Sequence, residues 1–405
     1  MNFRNFFKTN AFLILAFLLV FLAGWQAGYA GFQFSLKFNP PGITIENKAP
    51  RNQTVDFSLM WEVIERINAD YLFRPVDGAK LLYGAVSGMI QALGDPYTSF
   101  LDPTQNQEFA DGLSGVYEGI GAEIGIREDQ LIIVAPLDGS PAKSAGLRAG
   151  DKLLEIDGGN TTGITVTAAV AKIRGEAGTT VKLKLQRGTA ASYEVTITRA
   201  QIKVESVSWE DKGNGLVLIE LTRFGDGTTD EWDSAIAQIK SQVKDVKGVV
   251  LDLRSNPGGY LQAAVYIASE FLKDGAVVLQ EDSRGDRATL SVQATKGNHA
   301  LAGKKLVILI DGGSASASEI LAGALSERAG ATLVGEKSFG KGTVQDAVDF
   351  QDGSGLHLTV AKWLTPKGVW VHDKGIEPDY KVELTDADLN AGKDPQLQKA
   401  LEILR

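Results

Sequence analysis

Residues 307–320 read Val307-Ile308-Leu309-Ile310-Asp311-Gly312-Gly313-Ser314-Ala315-Ser316-Ala317-Ser318-Glu319-Ile320. The charge-free apolar run reads as a buried strand, and the diglycine after it as a tight turn. Alternating small residues then lead into what reads as an amphipathic helix. Three hydroxyls therefore fall at a strand-to-helix junction, where unpaired backbone N–H groups and the positive end of the helix dipole converge. A serine there lies beside donors able to hold a developing oxyanion, as acyl transfer requires. An ordinary serine N-cap has the same local signature. The rest of the chain has to decide.

Outward from that stretch, β-type and helical runs alternate from Lys203 onward. Gly215 to Leu221 precedes a helix over Thr228 to Val243. Gly248 to Leu253 leads through Asn256-Pro257-Gly258-Gly259 to a helix over Leu261 to Leu272. Lys305 to Ile310 precedes a helix from Ala315 to Arg328, and Leu333 to Gly335 starts another unit. Repeated strand-then-helix units call for an α/β core with a partly parallel sheet.

Composition narrows the chemistry. The chain has 405 residues, 44% hydrophobic and 22% charged, which suits two or three globular units. Its net charge of −9 gives nucleic acid no electrostatic support as a partner. The absence of cysteine removes disulfides, zinc-thiolate sites and a cysteine nucleophile. The three histidines, His299, His357 and His372, supply a serine–histidine triad poorly. No metal or organic cofactor is implied.

The amino terminus reads as a targeting segment. Arg4 and Lys8 precede the apolar block Ala11 to Ala23, and no charge follows until Lys37. Residues 1–30 are expected to be a signal peptide cut near Gly28 and Ala30, or an uncleaved membrane anchor with Trp25 and Tyr29 at the far interface. Either places the bulk of the protein outside the cytoplasm. Residues 31–54, with Pro40-Pro41-Gly42 and Pro50, read as a linker. Residues 55–111 read as a helical module, in which Leu82, Ala85, Val86, Met89 and Leu93 would form one buried helical face and Asp95-Pro96 would end the helix.

Residues 112–202 have a different texture. Strands are expected at Ala122–Ile126, Gln130–Ala135, Lys152–Ile156, Val181–Gln186 and Tyr193–Thr198, with a helix at Thr165–Ile173. Within them, Gly119-Ile120-Gly121-Ala122 resembles the carboxylate-binding loop of PDZ domains. Ser140-Pro141-Ala142, Ala145-Gly146-Leu147, Gly150-Asp151 and Ile156-Asp157-Gly158 resemble the most recognisable internal run of that family. A glycine-rich turn makes a nest of N–H groups for a carboxylate, and the strand after it offers an edge for peptide addition. A tight turn alone also explains these glycines.

The chain as a whole resembles the carboxyl-terminal processing peptidases, from about Asp56 to Asp379. Ala92-Leu93 with Asp95-Pro96-Tyr97, Asp252-Leu253-Arg254-Ser255-Asn256-Pro257-Gly258-Gly259, Gly313 to Glu319, Gly340-Lys341-Gly342-Thr343-Val344-Gln345, Thr365-Pro366-Lys367-Gly368 and Gly375-Ile376-Glu377-Pro378-Asp379 carry the resemblance in order. It implies an α/β serine protease core over 203–382, an inserted PDZ domain, the helical amino-terminal module, and a carboxyl-terminal helical segment over 383–405 lying beyond the core.

Spacing leaves Ser314, Ser316 and Ser318 open as nucleophile. The resemblance implies Ser316, with Lys341 as general base and Gln345 orienting the lysine. Free lysine titrates at about 10.4, so Lys341 must be desolvated with no ion-pair partner to serve as a base. Gln345 can accept from the amine without adding charge. The oxyanion donors expected are the N–H of Ala317 and that of Gly258 or Gly259. Arg174 matches a position that couples tail binding to activation, although an arginine after a helix also serves as a solvated cap. The resemblance implies protein or peptide substrates held by their carboxyl-terminal tails, and a homodimer through the terminal helices. Two other readings stand beside it: an exported PDZ scaffold with an inactive core, and a serine hydrolase using His372 as base.

Overall fold

The computed structural model describes residues 15–26, 32–38, 41–47, 56–127, 130–137, 139–295, 297–385, 387–388 and 391–405. Backbone contacts divide the chain into two compact units, 1–81 and 82–405. In the first unit residues 15–26 are helical; the rest of the signal or anchor segment lies outside the described residues. Among the described residues no helix is long and apolar enough to cross a membrane.

The linker expected over 31–54 instead contains an antiparallel hairpin, Phe32–Phe38 paired with Pro41–Asn47. Phe32, Phe34, Leu36 and Phe38 alternate with polar or small residues, a period of two that the proline-based reading passed over. Helix Ser58–Asp70 follows, and helix Gly78–Gln91 runs on into the second unit.

The second unit is built on a six-stranded sheet. Leu216–Leu221, Gly248–Asp252, Lys305–Ile310, Thr332–Gly335 and Tyr380–Lys381 run parallel, with Val207–Gly213 antiparallel at one edge. Side chains alternate between two cores, as the pleat dictates. Val217, Ile219, Val249, Leu251, Ile308 and Ile310 share one face with helices Thr228–Gln242, Leu261–Phe271 and Ala317–Ala329. Leu216, Leu218, Val250, Val307, Leu309 and Val334 take the other face, against Ala400 and Leu404.

That second core corrects the expectation for the carboxyl terminus. Helix Pro395–Leu404 is not beyond the core; it closes the open face of its own sheet. Asp394 caps it by accepting from Leu397 N–H at 2.8 Å. Asp252 and Asp394 both grip the Arg254 guanidinium, at 2.6 and 2.8 Å, and Gln396 accepts from it at 2.9 Å. The apolar stripe of the helix thus packs within its own chain, with Ala400 and Leu404 buried and Leu397, Leu401 and Ile403 partly buried against the same core.

A second sheet runs Arg287–Ser291, Ala276–Asp282, Gly355–Leu364, Thr343–Asp349, and Ser99–Leu101 pairs with Gly355–Leu364. The end of the expected helical module is thus stitched into the α/β core. The stripe on Gly78–Gln91 is not a buried face: Leu82, Met89 and Leu93 are 56%, 55% and 61% exposed. Helix Ala317–Ala329 departs from its amphipathic reading in the opposite sense, because Ala317 through Leu325 are all buried. It packs on helix Leu261–Phe271 and on strands of both sheets, so only its last turn, with Arg328 and Ala329, meets water.

Residues 122–198 form an antiparallel sheet in the order Tyr193–Thr198, Thr180–Gln186, Lys152–Ile156, Gln130–Pro136, Ala122–Arg127. Helix Val166–Ile173 packs over it, and Ile120, Ile133, Leu153, Ala169, Ile173, Val181 and Leu183 form its core. A ribbon of Val116–Gly119 with Ala200–Lys203 connects this sheet to the α/β core.

Candidate active site

The three serines of residues 314–318 differ once the chain is folded. Ser314 is fully buried and its hydroxyl donates to Leu253 O at 2.8 Å. Ser318 is likewise buried and donates to Asn256 O at 2.9 Å. Both hydroxyls staple the nucleophile turn to the Leu253–Asn256 loop. Ser316 alone of the three lines a cleft of about 830 Å³. Its backbone is held at φ 54°, ψ −112°, a strained region for a residue with a side chain.

Lys341 lines the same cleft, as do Gln345, Gly258, Gly259 and Ala317. Burial lowers the Lys341 amine below its usual range, and the Asp95 carboxylate nearby raises it in partial opposition. The Nζ lies 5.4 Å from the centroid of the Tyr97 ring. No hydrogen bond joins Lys341 Nζ to Ser316 Oγ in this structure. The lysine is therefore desolvated beside the serine but not engaged with it, a common state of a site without substrate.

Gln345 departs from its expected contact. Its amide donates to Thr343 Oγ1 and Thr359 Oγ1, each at 3.0 Å, and makes no hydrogen bond to Lys341. Two hydroxyls on the same sheet satisfy it first, one on its own strand and one on the paired strand Gly355–Leu364.

The two glycines also separate. Gly258 N–H donates to Asn256 Oδ1 at 2.9 Å and is committed. Gly259 N–H and Ala317 N–H find no acceptor among the described residues. Gly258 instead supplies closeness: at φ +100°, a Cβ there would lie 2.8 Å from Ala315 O and 2.9 Å from Ser316 Cβ. Asn256 holds the loop, donating from Nδ2 to Leu221 O at 2.6 Å.

His372 does not line the cleft. Its Nδ1 accepts from Gly342 N–H at 3.3 Å, and its ring stacks on Trp370 at 5.0 Å. Its ring also meets that of Tyr97 at 5.6 Å, and no hydrogen bond joins it to Ser316 among the described residues.

Glu319 was not singled out from the sequence. It is buried, and its carboxylate accepts from Ser316 N–H, Lys341 N–H, Gly340 N–H and the Ser338 hydroxyl. The spacing Ser316-x-x-Glu319 is that of a capping box and carried a usable signal. Asp95 was quoted as a helix stop and within a motif but not as a site residue, yet its charge acts on the lysine and its carboxylate accepts from Thr98 Oγ1 at 2.6 Å.

At the other site, Gly119 ends the connecting ribbon, Ile120 is buried, Gly121 turns at φ +70°, and Ala122 opens the edge strand. Ile120 O and Gly121 O accept from Ala142 and Leu137 N–H, which fixes the loop from behind. Among the described residues the outer edge of Ala122–Arg127 is unpaired, beside helix Val166–Ile173. Arg174, at the end of that helix, lays its guanidinium 4.6 Å over the Tyr117 ring on the ribbon. It is thus a contact between the groove wall and the connector.

Comparison with known proteins gives three family matches along the chain. A model described as peptidase family S41 matches residues 215–382, and a PDZ domain model matches 132–187. One described as the activating protease CtpB N-terminal domain matches 21–105. The carboxy-terminal processing protease CtpA of Bacillus subtilis is 40% identical over 331 residues, covering 82% of this chain and 70% of that one. CtpB of the same organism is 38% identical over 372 residues, covering 90% and 76%. A solved Bacteroides fragilis structure assigned to the S41 proteases aligns with a TM-score of 0.55 at 16% identity, covering 88% and 99%, a likeness of fold alone.

Proposed function

The chain belongs to peptidase family S41 and is a serine-type carboxy-terminal processing protease with a PDZ domain, and from that premise we propose that it cuts with a Ser316–Lys341 pair outside the cytoplasm. One observation carries the reading. Of the three neighbouring serines, only Ser316 lines a cleft that also holds a desolvated lysine.

The chemistry follows from those groups. The neutral Lys341 amine takes the Ser316 proton as Oγ bonds to the scissile carbonyl carbon. The negative charge gathers on the carbonyl oxygen, between the unengaged N–H groups of Ala317 and Gly259. The resulting ammonium returns its proton to the leaving amine as the C–N bond breaks. Water then attacks the acyl ester, with Lys341 again acting as base. Gln345 joins this step if its Oε1 accepts from the Lys341 amine while Nε2 stays on Thr343 and Thr359.

The PDZ domain selects the substrate: a tail adds to the edge Ala122–Arg127 while its carboxylate enters the nest at Gly119–Ala122. Arg174 on Tyr117 ties occupancy of that groove to the connecting ribbon, and through it to Lys341 closing on Ser316. The basic-then-apolar amino terminus supports export, by anchor or by cleaved signal.

The test uses a folded reporter with varied carboxyl-terminal tails. Ser316→Ala and Lys341→Ala are expected to abolish cleavage while tail binding persists, and His372→Ala to keep it. Full activity in Lys341→Ala ends the lysine-base reading. Cell fractionation with protease accessibility checks the location.

A further inference from the structure

Gln345 and Thr359 oppose each other across the paired strands Thr343–Asp349 and Gly355–Leu364. A bulge makes them partners: Val344 pairs with Ala361, the register then shifts, and Gln345 pairs with Thr359. An unbroken register would have set Gln345 against Val360, whose side chain offers no acceptor. The Gln345 amide nitrogen carries two protons, and Thr343 Oγ1 and Thr359 Oγ1 take both, each at 3.0 Å. Its Oε1 accepts from no group among the described residues, and the residue lines the cleft that holds Lys341.

Asp95 stands behind this pair. Its carboxylate accepts from Thr98 Oγ1 at 2.6 Å and from Tyr97 N–H at 2.9 Å, and Thr98 Oγ1 accepts from Thr359 N–H at 3.0 Å. Burial raises the Asp95 carboxyl, but donation from Thr98, Thr359 and Tyr97 outweighs it and holds the group below its usual range. At neutral pH it is therefore an ionised carboxylate that only accepts. The Thr359 hydroxyl has a single proton, and that proton goes to Asp95. Toward Gln345 the hydroxyl can then only accept, so the nitrogen end of the amide must meet it.

We propose that Thr359, oriented by Asp95, is a positioning residue that fixes the Gln345 amide with Oε1 as the end offered to Lys341. The inference rests on the Ser316–Lys341 reading and deepens it. An amide so turned accepts one N–H of the amine and leaves the nitrogen lone pair to the Ser316 proton. A flipped amide would donate to that lone pair and compete with the serine for it. Asp95 and Thr98 lie in the segment leading to strand Ser99–Leu101, which pairs with Gly355–Leu364. The polarity of the amide is thus dictated by a segment far from it in sequence.

The experiment measures kcat at the plateau pH and KM of the full chain on a tailed quenched-fluorescence peptide, with thermal unfolding to report the folded fraction. Valine keeps the β-branched shape of Thr359 and removes its hydroxyl. Thr359→Val is expected to lose about tenfold in kcat, the factor one ordinary hydrogen bond is worth, with KM unchanged. Thr359→Ser, which keeps the hydroxyl, should retain wild-type kcat. Asp95→Asn, which can donate where the carboxylate only accepts, should lose kcat as Thr359→Val does. In a Gln345→Ala background neither change should cost further kcat, because the amide they orient is gone. A folded Thr359→Val enzyme within about threefold of wild type overturns the proposal. So does an equal loss in Thr359→Ser, or a loss that persists without Gln345, as a merely structural role would give. Should Thr359→Val not fold, Asp95→Asn in the two backgrounds decides by the same criteria. Lys341→Ala runs alongside: if it stays active the dyad itself is wrong, whereas if it is silent and Thr359→Val is fully active, only this inference fails.

Discussion

Replacing Gly258 by alanine probes the approach of the oxyanion loop to the nucleophile. The added Cβ would sit 2.8 Å from Ala315 O, 2.9 Å from Ser316 Cβ and 3.0 Å from Ala317 N. Two of these are backbone atoms, which have no rotamer by which to move aside. Restoring ordinary contact requires the loop and the turn to part by about 0.6 Å. Alanine at φ +100° also carries backbone strain of about 1–3 kcal/mol. The displacement acts where the Ala317 and Gly259 donors must converge on one oxygen. Loss of a single such donor costs a factor of about 10²–10³ in kcat. Gly258→Ala is therefore expected to lower kcat about a hundredfold and to lower Tm by several degrees, with tail binding to the PDZ domain retained. Peptide cleavage, thermal unfolding and fluorescence anisotropy of a labelled tail read the three quantities. A folded Gly258→Ala enzyme with kcat within threefold of wild type would mean that this contact does not define the oxyanion site.

The titration of Lys341 has a definite sign. Its folded value is lowered by burial, so kcat/KM should rise with pH through that value and level off below the unperturbed 10.5. Asp95 opposes the shift, so Asp95→Asn should move the acidic limb to lower pH; a move upward would refute the assignment of Lys341 as base. Between its folded and unfolded values the native state binds fewer protons than the unfolded chain, so this group's contribution to stability should grow with pH, and Lys341→Met should remove that slope in denaturant titrations. Arg254→Ala leaves the buried Asp252 without its partner and releases Asp394, and is expected to cost about 3–5 kcal/mol in unfolding free energy. Leu404→Ala, which opens the second core, should cost about 2–5 kcal/mol by the same measurement, and a loss under 1 kcal/mol would show that the terminal helix is not docked.

Local periodicity and turn chemistry made most of the architecture legible. Lys152–Ile156, Tyr193–Thr198 and Lys305–Ile310 coincide with observed strands because their alternating or continuous apolar character reflects burial on one or both faces. The ordered motifs from Asp252 to Asp379 carried the family and the class of chemistry. Tertiary structure alone decided the rest. Ser314, Ser316 and Ser318 are alike in sequence, and they differ only because Leu253 and Asn256, on another loop, accept two of the three hydroxyls. Gln345 turned to Thr343 on its own strand and to Thr359 on the paired strand, and spacing along one strand cannot reveal the second of these. The carboxyl-terminal helix looked like a free amphipathic end, yet Arg254 meets Asp394 across 140 residues of chain. Sequence patterns record how each residue meets water or its near neighbours. The choice of partner among equivalent polar groups depends on distances that exist only after the sheets have closed.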